Sequence, residues 1–255
     1  MRLTKQDFTD IQAHIDLTRH HLGEHGLTLH VDHDMHAFVD YISRQEDTHG
    51  VPGSHDPKKT YLHPNNSFWI YVKHAASGDI IACHAQRLMV TDDFVGDCLA
   101  QTLFANLDPA LDAPPIGVDD FAEARMSGRV VYGGGNYIRP DWRGKGILIF
   151  NRASRTVALR HFQADHLCAL QMNTVRRRGM ALTGLAFAHV KPFIKGGLPG
   201  KPQADDVQLS WSSRQEWLNA IRLELANQDA ETRTPGRTHP RPDSLKEATA
   251  GHTRA

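Results

Sequence analysis

Apolar residues recur every three or four positions in several segments, and this spacing predicts amphipathic helices. The first begins at Thr4, a residue suited to cap a helix, and ends where Gly23 interrupts the pattern. The last begins at a capping box formed by Ser213 and Glu216. Between them, the pattern predicts helices over Met35–Arg44, Thr91–Ala105 and Gly146–His161.

Shorter runs rich in β-branched and aromatic residues, bounded by turn-forming residues, predict strands. The predicted strands are Ser67–Lys73, Ile80–Val90, Arg129–Ile138, His166–Met172, Gly184–Ile194 and Val207–Trp211. The first two are joined by the sequence HAASGD, which favours a hairpin turn. Helices and strands follow one another in mixed order, and this order is typical of an α/β domain.

The length of 255 residues and the 40% share of hydrophobic residues suit one domain with a buried core. We expect that domain to span residues 1–226. From Asn227 onward the sequence holds few large apolar residues, so we predict a disordered tail over 227–255.

Composition argues against several classes of partner. Lys and Arg together number 29, as do Asp and Glu, so the net charge indicates neither nucleic acid nor an anionic membrane as partner. The N-terminal stretch is polar, and no apolar run approaches the roughly 18 residues that a membrane span needs. Cys83, Cys98 and Cys168 are too few and too widely spaced to indicate a disulfide framework or a zinc motif. A cytoplasmic protein is the expectation.

Histidines are concentrated near the N-terminus. The spacing of His30, His33 and His36 would place them on one face of a helix, where they could bind a metal ion. Asp32 and Asp34 between them instead favour a solvated loop that leads into a helix. We therefore expect no metal.

The stretch Tyr132–Leu148, YGGGNYIRPDWRGKGIL, combines a glycine-rich strand with a basic loop that leads into a helix. It matches neither the dinucleotide fingerprint, since Ile138 takes the place of the sixth-position glycine, nor the P-loop, since Gly146 follows Lys145. At such a helix start the main-chain N–H groups of residues 143–148 lack partners within the helix and attract anions. With Arg143 and Lys145 beside them, they predict a site for a diphosphate.

This loop resembles the acetyl-CoA-binding signature of the GCN5-related N-acetyltransferase (GNAT) family, which reads Arg or Gln, two residues, Gly, one residue, then Gly or Ala. Arg143 and Gly146 match the signature, and Leu148 departs from it. Upstream, Ile138-Arg139-Pro140 is similar to the family's Val-x-Pro. The resemblance implies a mixed, mostly antiparallel central sheet with a splayed parallel strand pair, flanked by helices. It covers about Ser67–Trp211, although only Ile138–Ile147 is specific.

The resemblance also implies the ligands and the binding residues. It implies acetyl-CoA, or another acyl-CoA, as cosubstrate, and a small-molecule or protein amine as acceptor, bound on the side of the N-terminal helices (1–45). A homodimer is left open. The implied contacts to the cosubstrate are Asn136, Tyr137, Ile138, Arg143, Gly144, Lys145, Gly146, Ile147, Leu148 and Asn173. Gly133–Gly135 would form a bulge on the splayed strand and leave room for the thioester and its acceptor.

The catalytic groups of the family have no counterparts here. No Asp or Glu lies between Arg129 and Ile138 to act as general base, and Met180 stands where many members carry a tyrosine acid. The remaining candidates are Tyr137, Tyr132 and His84, followed by Glu123 and His189.

The expected function is an acyl-CoA-dependent N-acyltransferase that transfers acetyl to a primary amine by direct attack. Two alternatives remain open. One is an enzyme like the long-chain N-acyl amino acid and acyl-homoserine lactone synthases, which takes its acyl group from acyl carrier protein. The other is a non-catalytic module that binds acyl-CoA.

Overall fold

The computed structural model describes residues 2–48, 50–99, 125–172, 185–194 and 206–233. Five helices and seven strands lie in these ranges. The helices are α1 (Lys5–Gly23), α2 (Met35–Ser43), α3 (Phe94–Leu99), α4 (Ile149–Phe162) and α5 (Arg214–Arg233). The strands are β1 (Leu27–Asp32), β2 (Ser67–His74), β3 (Ile80–Thr91), β4 (Gly128–Ile138), β5 (His166–Met172), β6 (His189–Ile194) and β7 (Val207–Ser213).

The strands form one seven-stranded sheet in the order β1-β2-β3-β4-β5-β7-β6. Every neighbouring pair is antiparallel except β4 and β5, which are parallel and are connected through α4. A mixed, mostly antiparallel sheet with a single parallel pair, flanked by helices, is the architecture that the resemblance implied. That expectation is confirmed.

Alternate strand positions point to the two sides of the sheet, and each side carries its own hydrophobic core. Phe68 and Ile70 of β2 belong to the core that contains buried side chains of α1, α4 and α5. Trp69, between them in sequence, packs on the opposite side with residues of α2. A further core on that opposite side joins α3 to β4, β5 and β7. We call the first side the α4 side and the second the α2 side.

The first and last described helices are joined by ion pairs between Arg222 and two carboxylates of α1. Thr4 and Asp7 form a capping box at the start of α1, as the sequence predicted for a cap at Thr4. Asp7 also accepts a hydrogen bond of 2.7 Å from Arg222 of α5, whose Nε lies 2.7 Å from Asp10. The predicted capping box of Ser213 and Glu216 is also present.

Several elements differ from the sequence-based expectations. Helix α3 begins at Phe94 rather than Thr91, and α4 begins at Ile149 rather than Gly146. Strand β1 was missed, although its alternation of Leu27, Leu29 and Val31 with polar residues is the pattern of a half-buried strand. It lies at the sheet edge, and Leu27 is its one buried residue. Strand β6 begins at His189 rather than at Gly184. Helix α5 continues past the expected domain end at residue 226 to Arg233, and the rest of the expected tail lies outside the described residues.

The three glycines of β4 are explained by side chains of the protein itself. A Cβ on Gly133 would lie 2.9 Å from Nε2 of His84, and one on Gly134 would lie 2.7 Å from Cε1 of His55. A Cβ on Gly135 would lie 2.4 Å from Cζ of Phe38. We expected these glycines to leave room for the thioester and its acceptor. In the structure, close packing on both sides of the strand already requires them.

The predicted bulge is present next to these glycines. Pairing of β4 with β3 shifts between Ala85–Gly134 and Cys83–Tyr137, so two β4 residues face one residue of β3. Gly135 has a φ of +61°, the left-handed conformation typical of a glycine in a bulge.

The described residues bear on the expectations about membrane spans, metal sites and disulfides. Among the helices that the structure describes, none combines the length and apolarity needed to cross a membrane. Within the same ranges, no group of three or more His, Cys, Asp or Glu side chains could hold a metal ion. His30 and His36 do not share a helix, since His30 lies on β1 and His36 on α2. Cys83, Cys98 and Cys168 are free thiols, and burial raises the pKa of each.

Gly135→Ala should reduce the free energy of unfolding by about 2–4 kcal/mol, because the new Cβ meets the Phe38 ring and the backbone is left-handed. Gly144→Ala is the matched control. Its φ of +79° is also left-handed, but nothing lies within 4 Å of its Cβ position, so we expect a cost of about 1–2 kcal/mol. Urea denaturation of both variants measures the difference. Equal costs would contradict close packing at Gly135.

Candidate functional site

The candidate site begins where β4 and β5 separate. The two strands pair in register from Val130–His166 to Gly133–Ala169. Beyond that point β4 continues to Ile138 along β3, and β5 continues to Met172 along β7. The β4 residues after Gly133 therefore have no strand partner on the β5 side, and a gap opens between the strands. The splayed pair expected from the sequence is present.

The start of α4 follows β4 and carries free main-chain donors. The N–H groups of Gly146, Ile147, Leu148 and Ile149 make no hydrogen bond to any described residue. Gly144 and Gly146 have φ values of +79° and +76°, which turn the chain from β4 into the helix. Free N–H groups at a helix start and the helix dipole favour an anion at this position.

The donors differ in part from the expected set of residues 143–148. The N–H of Arg143 donates to the carbonyl of Pro140, and that of Lys145 donates to Trp142, within a short 3₁₀ turn. Two of the expected amides are therefore used internally. Those of Gly144 and Gly146–Leu148 have no partner among the described residues, and the free set also includes Ile149. An anion bound here would contact the residues from Gly146 onward.

Three cationic or titratable side chains surround these donors. Arg143 donates to a carboxylate oxygen of Asp47 and, at 2.9 Å, to the Ile138 carbonyl, so its guanidinium is engaged rather than free. The ammonium of Lys145 lies 4.8 Å from the centre of the Trp142 ring. His21 of α1 approaches from the other side, with Nε2 3.7 Å from the Cβ position of Gly146. Lys145 thus places a positive charge near the free amides, and the charge of Arg143 is shared with Asp47.

Below the gap, on the α4 side, lies a layer of buried polar side chains, which we call the polar layer. It comprises His84 and Gln86 of β3, Asn151, Ser154 and Arg155 of α4, Gln171 of β5, and Gln208 and Ser210 of β7. All of them are 8% exposed or less. The register places them together: Gly133 pairs with Ala169, Ala169 with Ser210, and Gln171 with Gln208, and paired residues share one side of a sheet.

Many atoms of the polar layer have no hydrogen-bond partner. The unpartnered atoms are Gln86 Oε1, Asn151 Oδ1 and Nδ2, Arg155 Nε, Gln171 Oε1 and Nε2, Gln208 Oε1 and Ser210 Oγ. A buried polar atom without a partner costs about 1–3 kcal/mol. Such a concentration at the mouth of a gap is typical of a site whose ligand supplies the missing hydrogen bonds.

His84 lies in the polar layer directly against β4. Its Nδ1 is 3.3 Å from the amide nitrogen of Gln86, which also donates to Ser154 at 2.9 Å. Because an amide nitrogen donates, Nδ1 accepts, and the proton of the neutral ring is on Nε2, near Gly133. Burial and the charge of Arg155 hold the pKa of His84 well below its usual value. The geometry favours a hydrogen-bond donor over the general base considered for this residue.

A second buried histidine lies against β4 on the α2 side. His55 is fully buried, its Nε2 is 3.3 Å from the Tyr132 carbonyl, and its Nδ1 is 3.1 Å from the Ser54 hydroxyl. A carbonyl oxygen only accepts hydrogen bonds, so the Nε2–H of His55 donates to it. Nδ1 then accepts a hydrogen bond from the Ser54 hydroxyl. Burial, with a smaller contribution from Arg87, lowers the pKa of His55 to about 3.

The two tyrosine candidates are packed rather than free. Tyr132 is 4% exposed and stacks on His55 at 5.5 Å, and burial raises the pKa of its phenol. Tyr137 is 6% exposed and donates to Gln45 at 3.2 Å, and burial, with Asp47, raises its pKa as well. Neither phenol ionises readily near neutral pH, so a role for either one would be that of a proton donor.

The remaining candidates are dispersed. Asn136 is exposed and Ile138 is half-buried at the end of β4, where the resemblance placed contacts to the cosubstrate. His189 lies on β6 at the far edge of the sheet, stacked on Trp211 and bonded to Glu216. Asn173, Glu123 and Met180 lie outside the described residues.

Reasoning from sequence missed the polar layer and His55. The segment Asn151–Thr156, NRASRT, carried a signal, because polar residues fall on the same side of α4 as apolar core residues. His55 carried none, since it lies in a loop of turn-forming residues and only the tertiary fold places it against β4.

No family model matches this sequence, and no curated protein matches it. Among solved structures, a chimera of Vibrio cholerae spermidine N-acetyltransferase SpeG and hSSAT is similar, with a TM-score of 0.46 and 11% identity, over 76% of this chain and 99% of that one. Arabidopsis thaliana NAA60 in complex with acetyl-CoA is similar with a TM-score of 0.47 and 8% identity, over 74% of this chain and 99% of that one. Ribosomal-protein-S5-alanine acetyltransferase from Vibrio fischeri is similar with a TM-score of 0.43 and 13% identity. The match covers 75% of this chain and 95% of that one. Likenesses of this degree do not by themselves assign a substrate or a mechanism.

The free energy of unfolding should fall as pH falls below about 6.5. The unfolded chain then takes up protons at His55 and His84, whereas the folded chain, in which both pKa values are lowered, does not. Each histidine contributes a slope of up to about 1.4 kcal/mol per pH unit between its two pKa values. His55→Gln should therefore make the pH dependence less steep between about pH 4 and 6. Urea denaturation at several pH values measures this, and an unchanged slope would contradict a buried neutral His55.

Proposed function

We propose that this protein is an acyl-CoA-dependent N-acyltransferase that transfers an acetyl group from acetyl-CoA to a primary amine by direct attack. The observation that carries the proposal is the combination of two features. The parallel strands β4 and β5 part after Gly133 and Ala169, and the helix that follows β4 starts with four free N–H groups. A ligand with a diphosphate at one end and a slender polar arm fits both.

The diphosphate of CoA would bind at the free N–H groups of Gly146–Ile149, with Lys145 and Arg143 supplying positive charge. The pantetheine arm would then extend into the gap along β4, over Asn136–Ile138. The amides of the arm and the thioester oxygen could form hydrogen bonds with the polar-layer atoms that lack partners. The thioester would lie near Gly133–Gly135, and the amine would approach from the side of the N-terminal helices.

In the reaction, the nitrogen of the neutral amine attacks the thioester carbonyl carbon and the C–S bond breaks. Overall, one proton passes from the amine nitrogen to the departing CoA thiolate. The Nε2–H of His84 is suited to donate a hydrogen bond to the developing oxyanion, because the ring is neutral and held by Gln86. Strand β4 has no acidic residue to act as a base. We therefore assign most of the acceleration to positioning.

Replacing Leu148 by proline tests the diphosphate site. Leu148 has a φ of −58°, which proline can adopt, and its N–H has no partner in the described structure, so Leu148→Pro removes one donor at little structural cost. Loss of one charge-assisted hydrogen bond should weaken CoA binding about tenfold or more. Isothermal titration calorimetry with CoA measures the change.

Leu148→Ala is the matched control for that variant. It keeps the N–H and removes most of the same side chain, so its dissociation constant for CoA should stay within about twofold of the wild type, well short of a lost charge-assisted bond. No CoA binding by the wild-type protein, or equal effects of both variants, would overturn the proposed site. CoA binding without thiol release from acetyl-CoA over a broad amine panel would instead indicate the non-catalytic module.

Asp47→Asn should strengthen CoA binding, because it frees the guanidinium of Arg143 from its ion pair at the same loop. Since exposed ion pairs contribute up to about 1 kcal/mol, the gain should be up to about fivefold. Arg143→Ala should weaken binding, and Asp47→Asn should have no further effect in an Arg143→Ala background. Calorimetry on the four proteins measures the coupling. A gain that persists without Arg143 would show that the Arg143 side chain does not contact the ligand.

A further inference from the structure

The charge of Arg155 stands out within the polar layer. Its side chain is 2% exposed, and no carboxylate in the described structure lies within ion-pair distance of it. Burying a charge is costly unless the charge is paired. Arginines of α4 and α5 that are more exposed than Arg155 do have such partners: Arg152 pairs with Glu224, Arg214 with Asp165, and Arg222 with Asp7 and Asp10.

The contacts that Arg155 does make leave part of its edge unused. The guanidinium carbon lies 4.3 Å from the centre of the Phe187 ring and 4.7 Å from that of Trp217. Aromatic rings attract the face of a guanidinium, and they leave its N–H groups free to donate in the plane. One N–H donates to the Leu185 carbonyl, and Nε has no partner. A carboxylate is the group whose geometry fits such an edge.

The position of Arg155 connects it to the gap. It lies one turn after Asn151 on α4 and directly after Ser154, which receives the hydrogen bond of Gln86. Phe187 and Leu185, its contacts, pack with Ala169, the last β5 residue that pairs with β4. Arg155 is also near enough to His84 for its charge to act on that ring. These contacts place Arg155 near Ala169, where the pairing of β4 and β5 ends and the gap begins.

We propose that Arg155 binds a carboxylate carried by one of the two substrates, so that the enzyme is selective for an amino-carboxylate acceptor or for a dicarboxylic acyl group. This inference rests on the proposed function. The carboxylate would pair with the unused edge of the guanidinium, and the amides of Asn151 and Gln171 in the same polar layer, which lack partners, are available to complete its hydrogen bonds. The site thus selects substrates by a buried charge that has no partner within the described protein.

The test compares the wild-type protein with Arg155→Met and Arg155→Lys. Methionine has a similar length and no charge, and replacing an unpaired buried charge by an apolar group of similar size is often neutral or stabilising. The melting temperature of Arg155→Met should therefore equal or exceed that of the wild type. Lysine keeps the charge but not the planar edge, so Arg155→Lys should retain only part of the selectivity.

Substrate selectivity is measured with matched pairs that differ only in a carboxylate. For the acceptor, free amino acids are compared with their amides, with acetyl-CoA as donor. For the acyl group, succinyl-CoA is compared with acetyl-CoA. We expect one of the two comparisons to favour the carboxylate by at least about tenfold in kcat/KM in the wild type, and the preference to vanish in Arg155→Met. A preference in the acceptor comparison would place the carboxylate on the amine substrate, and a preference in the donor comparison would place it on the acyl group.

A binding measurement separates this inference from the proposed function. If a free amino acid is preferred, it should raise the melting temperature of the wild-type protein, with or without CoA, and leave that of Arg155→Met unchanged. If succinyl-CoA is preferred, it should raise the melting temperature more than acetyl-CoA does in the wild type, and by the same amount as acetyl-CoA in Arg155→Met. Arg152→Met, on the same helix, is the control. It removes the ion pair with Glu224, so it should lower the melting temperature and preserve the carboxylate preference.

Three results would overturn the inference. The first is the absence of a carboxylate preference in both comparisons, and the second is a preference that persists in Arg155→Met. The third is a large loss of stability in Arg155→Met, which would show that Arg155 serves the fold. If the wild-type protein binds CoA and releases thiol while any of these holds, the acyltransferase proposal stands and only the carboxylate site fails.

Discussion

Between Gly133 on β4 and Ala169 on β5 the parallel pairing ends, and the remaining arrangement follows from that point. A parallel pair requires a crossover connection, which here is α4, and the chain turns from β4 into this helix through residues 139–148. The turn leaves the N–H groups of Gly146–Ile149 free at the same end of the sheet at which the strands separate. A gap and a set of anion-binding donors are thus two results of one change in pairing.

Helix α4 serves this site at two levels. Its start offers main-chain donors to solvent, and its buried side places Asn151, Ser154 and Arg155 under the gap. Most helices of this kind bury only apolar side chains against a sheet. Here the helix combines apolar contacts through Phe150, Leu159 and Phe162 with polar groups that lack partners. Stability is reduced where a ligand is expected to bind, and the apolar contacts farther along the helix offset the loss.

The sequence was most informative where structure is local. The capping boxes at Thr4 and Ser213, the hairpin of β2 and β3, and the basic loop before α4 all depend on neighbouring residues, and all are present. The roles of His55, Phe38 and Arg155 depend on contacts between distant segments, such as the approach of His55 to Tyr132. No local pattern encodes such contacts. For the same reason, the glycine run indicated close approach but not which groups approach.

The pairing of Asp7 with Arg222 joins the N-terminal helix to the last described one across nearly the whole length of the chain. During synthesis, α1 emerges from the ribosome long before its partner exists, and domains fold as their segments become available. The part of the apolar side of α1 that packs against α5 then stays exposed until residues 214–233 have been synthesised, whereas β1 and α4 are available earlier to cover the rest. A nascent chain of this protein should therefore depend on chaperones for that first helix, and truncation near the C-terminus should impair folding at the opposite end.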